Sequence, residues 1–163
     1  MIVTSNDLIN LMYIAMTDNK MIEAINTLDL EQPVMTEEYE TEKQISTSNK
    51  NITLVFKEIN GYSKDGNPVL IKIDFKNYDF IGFPYNLISS GNYDMCCEKL
   101  GKKADYINKR RLQEAKIWVK SINNIDTGVV IHFTDTTFQT INYIIINKFE
   151  ANRVGKNLIE NKD

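Results

Sequence analysis

A chain of 163 residues with 42% hydrophobic and 25% charged side chains has the make-up of a soluble globular protein large enough for a real core. No run approaches the roughly 20 apolar residues that cross a bilayer as a helix, and Asp7 and Asn10 interrupt an N-terminal stretch that lacks a basic leader, so a cytoplasmic protein without membrane contact is expected. The net charge is only −3, yet residues 1–50 hold nine acids and three bases, so charge matters here by its placement.

Ser5-Asn6-Asp7 offers N-cap chemistry, and Leu8, Leu11, Met12, Ala15 and Met16 recur at helical spacing, which predicts a first helix over about 6–17. Thr17-Asp18-Asn19 breaks it. Met21, Ile22, Ile25 and Leu28 form a short second helix. Residues 29–39 read as an acidic connector containing Pro33, and residues 40–46 as a short edge strand. Six acids (Asp29, Glu31, Glu37, Glu38, Glu40 and Glu42) and no base lie between 29 and 42. Ile52, Leu54 and Phe56 alternate with Thr53, Val55 and Lys57, and Val69, Ile71, Ile73 and Phe75 with Leu70, Lys72 and Asp74. That period of two predicts a hairpin of 51–57 and 69–75 about Asp65-Gly66.

The second half follows the same plan. Gly82-Phe83-Pro84 is a bend, 85–90 has room for one helical turn, and Asn92–Leu100 reads as a short helix closed by Gly101. Residues 101–111 read as a basic connector; Lys99, Lys102, Lys103, Lys109, Arg110 and Arg111 face one acid, Asp105. Ile117-Trp118-Val119 favours a strand over 112–119, and 129–133 and 140–146 are strands across an Asp135-Thr136-Thr137 turn. Residues 151–163 are a polar tail, with Val154, Leu158 and Ile159 placed to make one amphipathic turn.

Sliding the chain by 72 positions sets Asp7 on Asp79, Ile9 on Ile81, Tyr13 on Tyr85, Leu28 on Leu100, Glu42 on Glu114, Ile45 on Ile117 and Asn51 on Asn123. The same shift sets Glu31, Glu37 and Glu38 on Lys103, Lys109 and Arg110. The expected fold is α+β, with a mainly antiparallel sheet and helices on one face. Its single domain, 1–150, divides into degenerate repeats 1–76 and 77–150. The other sheet face is expected to be open, carrying Thr, Lys, Asn and Tyr. Quasi-two-fold halves would have the means to bring the acidic and basic connectors close together.

Catalytic equipment is sparse. The one histidine, His132, lies between Ile131 and Phe133, and alternation turns it away from both, towards the more polar face. Cys96 and Cys97 are adjacent, without the spacer that lets two thiolates share a zinc, and at least one is expected in the core, as is Trp118. Thr36–Glu42 lacks the central glycine of a calcium loop, and no glycine-rich turn opens a helix. The reading is a protein with no metal, no cofactor and no enzymatic activity.

What remains is binding. Asp29, Glu31, Glu37, Glu38, Tyr39, Glu40 and Glu42 are the candidate partner-binding residues: clustered carboxylates speed encounter with a cationic protein, and Tyr39 supplies an amphipathic anchor. The basic stretch 99–111 has three readings: a solvated or internally paired surface, a protein contact, or a nucleic-acid contact with Tyr106 stacking on a base. An acidic protein argues against the last. A small enzyme using His132 is the remaining alternative.

With its size, acidity, lack of catalytic residues and a helix ending in Leu100-Gly101 before a strand meander, the chain resembles bacterial immunity proteins. Those proteins are antitoxins that neutralise contact-dependent or other polymorphic toxins. The resemblance implies tight one-to-one inhibition of a cognate toxin, often a basic nuclease, by occlusion of its active site. Tandem inhibitors of the β-lactamase-inhibitor-protein kind are similar in layout but are secreted and disulfide-bearing.

Overall fold

The computed structural model describes residues 3–31, 34–39, 42–49, 51–59, 67–76, 82–109, 114–134, 137–150 and 158–160. Within these, α1 (Ser5–Ile9) and α2 (Asn19–Thr27) precede strands β1 (Val34–Tyr39), β2 (Glu42–Ser48), β3 (Ile52–Lys57) and β4 (Val69–Phe75). A 3-10 turn (Pro84–Asn86) and α3 (Tyr93–Leu100) precede β5 (Tyr106–Lys109), β6 (Glu114–Ile122), β7 (Ile125–Phe133) and β8 (Ile141–Lys148), and β9 (Leu158–Glu160) closes the order. All nine strands belong to one sheet in the order β1-β2-β3-β4-β8-β7-β6-β5-β9, with every pairing antiparallel. The α+β fold read from the sequence is therefore observed. Two four-stranded meanders meet through their last strands, with Ile73 opposite Ile146 and Phe75 opposite Ile144.

The shift of 72 carries through the architecture. Added to β1–β4 it gives 106–111, 114–120, 124–129 and 141–147, which overlie β5, β6, β7 and β8. It takes Tyr13 (φ 68°) to Tyr85 (φ 60°), and Asp29 (φ 53°) to Gly101 (φ 81°), so even the left-handed positions coincide. A counterpart of α1 would fall on 77–81, outside the described residues.

One core runs along the helix-covered face. Ile52, Leu54 and Phe56 face Phe75, Ile73 and Leu70 across β3–β4, and continue through Ile144, Ile146, Val129 and Ile131 to Trp118. Leu8, Met21, Ala24, Cys96 and Leu100 cover them from the helices, and Met12 from the turn after α1. Trp118, Phe56, Phe75 and Phe133 are among the largest side chains fully removed from water, each worth about 1.5–3 kcal/mol of transfer free energy.

The first helix is shorter than its periodicity predicts. Thr4 and Asp7 form a reciprocal capping box, but α1 ends after Ile9. Beyond it the backbone docks on β4: Tyr13 N–H donates to the Leu70 carbonyl (2.7 Å), Leu70 N–H to Ile14 (3.0 Å) and Met16 N–H to Pro68 (2.9 Å). The Asn123 amide then satisfies the carbonyls of Asn10 (3.1 Å) and Met12 (2.8 Å) left open where the helix stops. Leu11 and Met12 are buried as the helical reading requires, but in a turn.

Other expectations divide in the same way. The hairpin of β3 and β4 is observed, while its Asp65-Gly66 turn lies outside the described residues. Asn92 caps α3 by accepting from Met95 N–H (3.0 Å), and Gly101 ends it in the left-handed conformation. The acidic connector is not a loop after Asp29: residues 34–39 are strand β1. The predicted edge strand, now β2, lies inside, between β1 and β3. Leu158 and Ile159 are in strand β9 and not in a helical turn. Strand β7 starts four residues before the predicted 129, because Asn123 (φ 48°) and Asn124 (φ 66°) close a two-residue turn between Ile122 and Ile125. The second sheet face is less polar than expected: Ala115 and Ile117 are buried on it, and Tyr106 stacks on Phe149 at 5.3 Å.

Candidate functional site

The acidic stretch begins where α2 ends. Leu30 is buried and its N–H reaches the Ile25 carbonyl (3.1 Å), which fixes the chain between the exposed Asp29 and Glu31. Glu31 N–H donates to the Ser48 carbonyl (3.1 Å), and the Thr47 hydroxyl donates back to the Glu31 carbonyl. This clasp delivers the chain to the edge of the sheet. There β1 pairs with β2, placing Glu37 opposite Gln44, Glu38 opposite Lys43 and Tyr39 opposite Glu42, with a bulge between Met35 and Glu37. Glu40 lies outside the described residues. Among the described residues no strand pairs with the outer side of β1, so its outward N–H and C=O groups are available for a further strand. The fold thus gathers Asp29, Glu31, Glu37, Glu38, Tyr39 and Glu42 along one border.

The basic stretch takes the equivalent place in the second meander, where β9 lies outside β5. Strands β1 and β5 are seven strand steps apart, roughly 34 Å at about 4.8 Å per step. The two connectors share no strand pairing: the meanders join through β4 and β8, and β1 and β5 stand towards opposite ends of the strand order. The basic run is instead tied to its own sheet. Lys102 Nζ contacts Asp105 (2.8 Å) and donates to the Val119 carbonyl (2.7 Å), while the Asp105 carboxylate accepts from Val119 N–H (2.7 Å). The Trp118 indole donates to the Lys102 carbonyl (2.8 Å). Arg110 and Arg111 lie outside the described residues. A phosphate-binding role would have to compete with these contacts for Lys102.

The residues weighed for catalysis fall into structural surroundings. His132 is 7% exposed, stands opposite Ala115 and stacks on Tyr143 with ring centroids 4.1 Å apart. Burial, with Cys97 beside it, pushes the Cys96 thiol up to about 12, far from a thiolate at neutral pH. Among the described residues no three His, Cys, Asp or Glu side chains come together as a metal requires, and no helix is long and apolar enough to cross a membrane.

Two features escape the sequence. Lys116, buried on the helix-covered face, lies over the rings of Tyr93 (4.0 Å) and Phe138 (4.4 Å). Its position opposite Ile131 is a pairing register, which no local pattern reveals. Thr53 and Asp74 are register partners across β3–β4, and each keeps a buried oxygen with no hydrogen-bond partner among the described residues. Burial raises the Asp74 carboxyl above its ordinary value, against the pull of Lys76 and Lys72.

The chain matches no protein-family model, no curated protein and no solved structure.

Proposed function

We propose that this protein is an inhibitory binding protein, an immunity protein in kind, that captures a cationic bacterial toxin of nuclease type and occludes its active site. The observation that carries the reading is the acidic border: β1 is an outer strand, it holds Glu37 and Glu38, and Asp29 and Glu31 stand exposed just before it. A nuclease active site is built to hold phosphates. Carboxylates spaced along an open strand present negative charge to the same cationic side chains, and the free backbone edge adds strand-to-strand hydrogen bonds. Steering by the clustered charge sets the on-rate, and the ladder sets residence. On this reading the protein acts in the cytoplasm, needs no cofactor and catalyses nothing.

The test is affinity capture from the native cell with wild-type protein and a Glu37→Lys/Glu38→Lys variant as baits. Captured material is then assayed for DNA and RNA cleavage with and without added wild-type protein. The expected result is a basic protein retained by the wild type, lost with the variant, and inhibited at one-to-one stoichiometry. A partner retained equally by both baits would remove the acidic border from the interface. Turnover of a substrate by the protein itself, abolished by His132→Ala, would replace the reading with an enzymatic one.

A further inference from the structure

A cleft of about 690 Å³ opens between α1, the turn that follows it and the start of α2. Its floor is apolar, made by Val3, Leu11, Ile14 and Ala24. Its rim carries three carboxylates, Asp7, Asp18 and Glu23, against one ammonium, Lys20. This volume lies in the range that holds a ligand of several side chains. The cleft is distinct from the strand edge of the acidic border: its α2 residues, Lys20, Glu23 and Ala24, precede Asp29 by roughly 8–14 Å at about 1.5 Å per residue.

The rim acids are held in place by the local fold. One oxygen of Asp7 accepts Thr4 N–H (2.8 Å), and one oxygen of Asp18 accepts Lys20 N–H (2.9 Å). Each of these carboxylates is pinned by its capping bond and remains exposed to solvent. Glu23 is exposed one turn along α2, and beside it Ile22 is 44% exposed, one of two large hydrophobic side chains so placed among the described residues. An apolar floor, a net negative rim and an adjacent exposed isoleucine match a side chain with a long hydrocarbon stem and a cationic head.

We propose that this cleft receives an arginine-bearing segment of a protein partner. The stem of the arginine lies over Val3, Leu11, Ile14 and Ala24, and its guanidinium lies among Asp7, Asp18 and Glu23. Arginine fits better than lysine because its planar fork bridges two carboxylates at once and is the more weakly hydrated cation. The inference deepens the capture reading above by giving the cationic partner a side chain to insert. It also rests on residues remote from β1, so the two can fail separately.

The test is a backbone-amide NMR titration of the full chain with three peptides that differ at one central residue: arginine, lysine or neutral citrulline. The arginine peptide is expected to shift the resonances of Asp7, Leu11, Ile14, Glu23 and Ala24. The lysine peptide should bind several-fold more weakly, and citrulline should leave the spectrum unchanged. An Asp7→Asn/Asp18→Asn/Glu23→Gln variant keeps residues that cap helices well, so it should melt near the wild type while losing at least tenfold in affinity for the arginine peptide. Equal response to citrulline, tighter binding of a free polyamine than of the arginine peptide, or unchanged affinity in the triple variant would each overturn the assignment. A silent titration alongside capture that depends on Glu37 and Glu38 would remove the cleft and leave the acidic border standing.

Discussion

Strands β1 and β5 open two four-stranded meanders of the same topology, yet β1 is acidic and, among the described residues, uncovered, while β5 is basic and covered. Strand β9 lies along β5, with Ile107 opposite Ile159 and Asn108 opposite Leu158. Among the described residues no strand pairs with the outer side of β1. Charge and cover are both recognised ways of protecting a sheet edge, and here the two edges divide them. What the two borders share is apolar: Leu28 and Leu100 are both buried where their helices end, and Tyr13 and Tyr85 both turn the chain at positive φ. Burial fixes the plan of each meander, and charge is left free to differ. That freedom lets the charge of each border differ without changing the plan of the fold.

The largest test asks whether the two meanders stand or fall together. Phe56 in β3 and Phe133 in β7 are both fully buried in the shared core, which crosses the β4–β8 junction without a break. Phe56→Ala and Phe133→Ala should each cost about 3–5 kcal/mol. Both variants should unfold in a single transition by circular dichroism and tryptophan fluorescence alike. Because Trp118 reports on the second meander, a Phe56→Ala protein whose ellipticity falls before its fluorescence would show two units where one is expected.

Next in size is the contrast between the borders. With a cationic partner, Glu37→Lys/Glu38→Lys should slow association about tenfold in ~0.05 M salt and much less in ~0.5 M, as screening shortens the reach of charge. Lys103→Glu/Lys109→Glu on the opposite border should change it less than about twofold, its position being some 34 Å away along the sheet. Stopped-flow association at several salt concentrations reads both. Equal effects from the two borders would mean that net charge, and not the acidic border, steers the encounter.

Much of the fold was legible because period-2 alternation and capping are local signals. Ile52–Lys57, Val69–Phe75 and Asn92–Gly101 all take the form their residues announce. The misread elements are those that long-range hydrogen bonds decide. Residues 13–16 keep a helical spacing but bond to β4, and Val34–Tyr39, with two adjacent glutamates and no alternation, becomes a strand because β2 offers it a ladder. The acidic border was legible as composition. Its exposure as a sheet edge, and its separation from the basic border, depended on strand order. The cleft was not legible at all: Asp7, Asp18 and Glu23 line one cleft because α1 stops early and the chain turns before α2.

A smaller effect compares two equivalent turns. Asp29 and Gly101 both follow a helix with positive φ, at 53° and 81°, and 72 residues separate them. A Cβ at Gly101 would meet nothing within 4 Å, so Gly101→Asp should cost about 0.5–1 kcal/mol from backbone conformation alone. Asp29→Gly should gain about 0.5 kcal/mol or less, since glycine removes that strain but has more unfolded-state entropy to lose. Urea denaturation measures both. Equal losses from the two substitutions would show that Asp29 contributes an interaction its counterpart lacks.

The smallest expected effects come from two aspartates with opposite shifts. At exposed Asp7, hydrogen bonds with Thr4, from its backbone first and then its side chain, hold the carboxyl below its ordinary value. Its folded pKa lies below the unfolded one, so the stability it contributes is present above about pH 4 and is lost as pH falls through the folded value. At Asp74 burial raises the carboxyl, so the ionised form costs stability at neutral pH, and that cost disappears as pH falls through the raised value towards about 4. Asp7→Asn should therefore lower the melting temperature slightly at pH 7 and progressively less as pH falls below about 4. Asp74→Asn should raise it by about 1–3 °C at pH 7 and lose that gain near pH 4. An amide at 74 removes a half-buried charge, one oxygen of which has no hydrogen-bond partner among the described residues. Calorimetric melts of the three proteins from pH 3 to 8 separate the two signs. A melting temperature lowered by Asp74→Asn at pH 7 would mean that the carboxylate is stabilised in the folded protein after all.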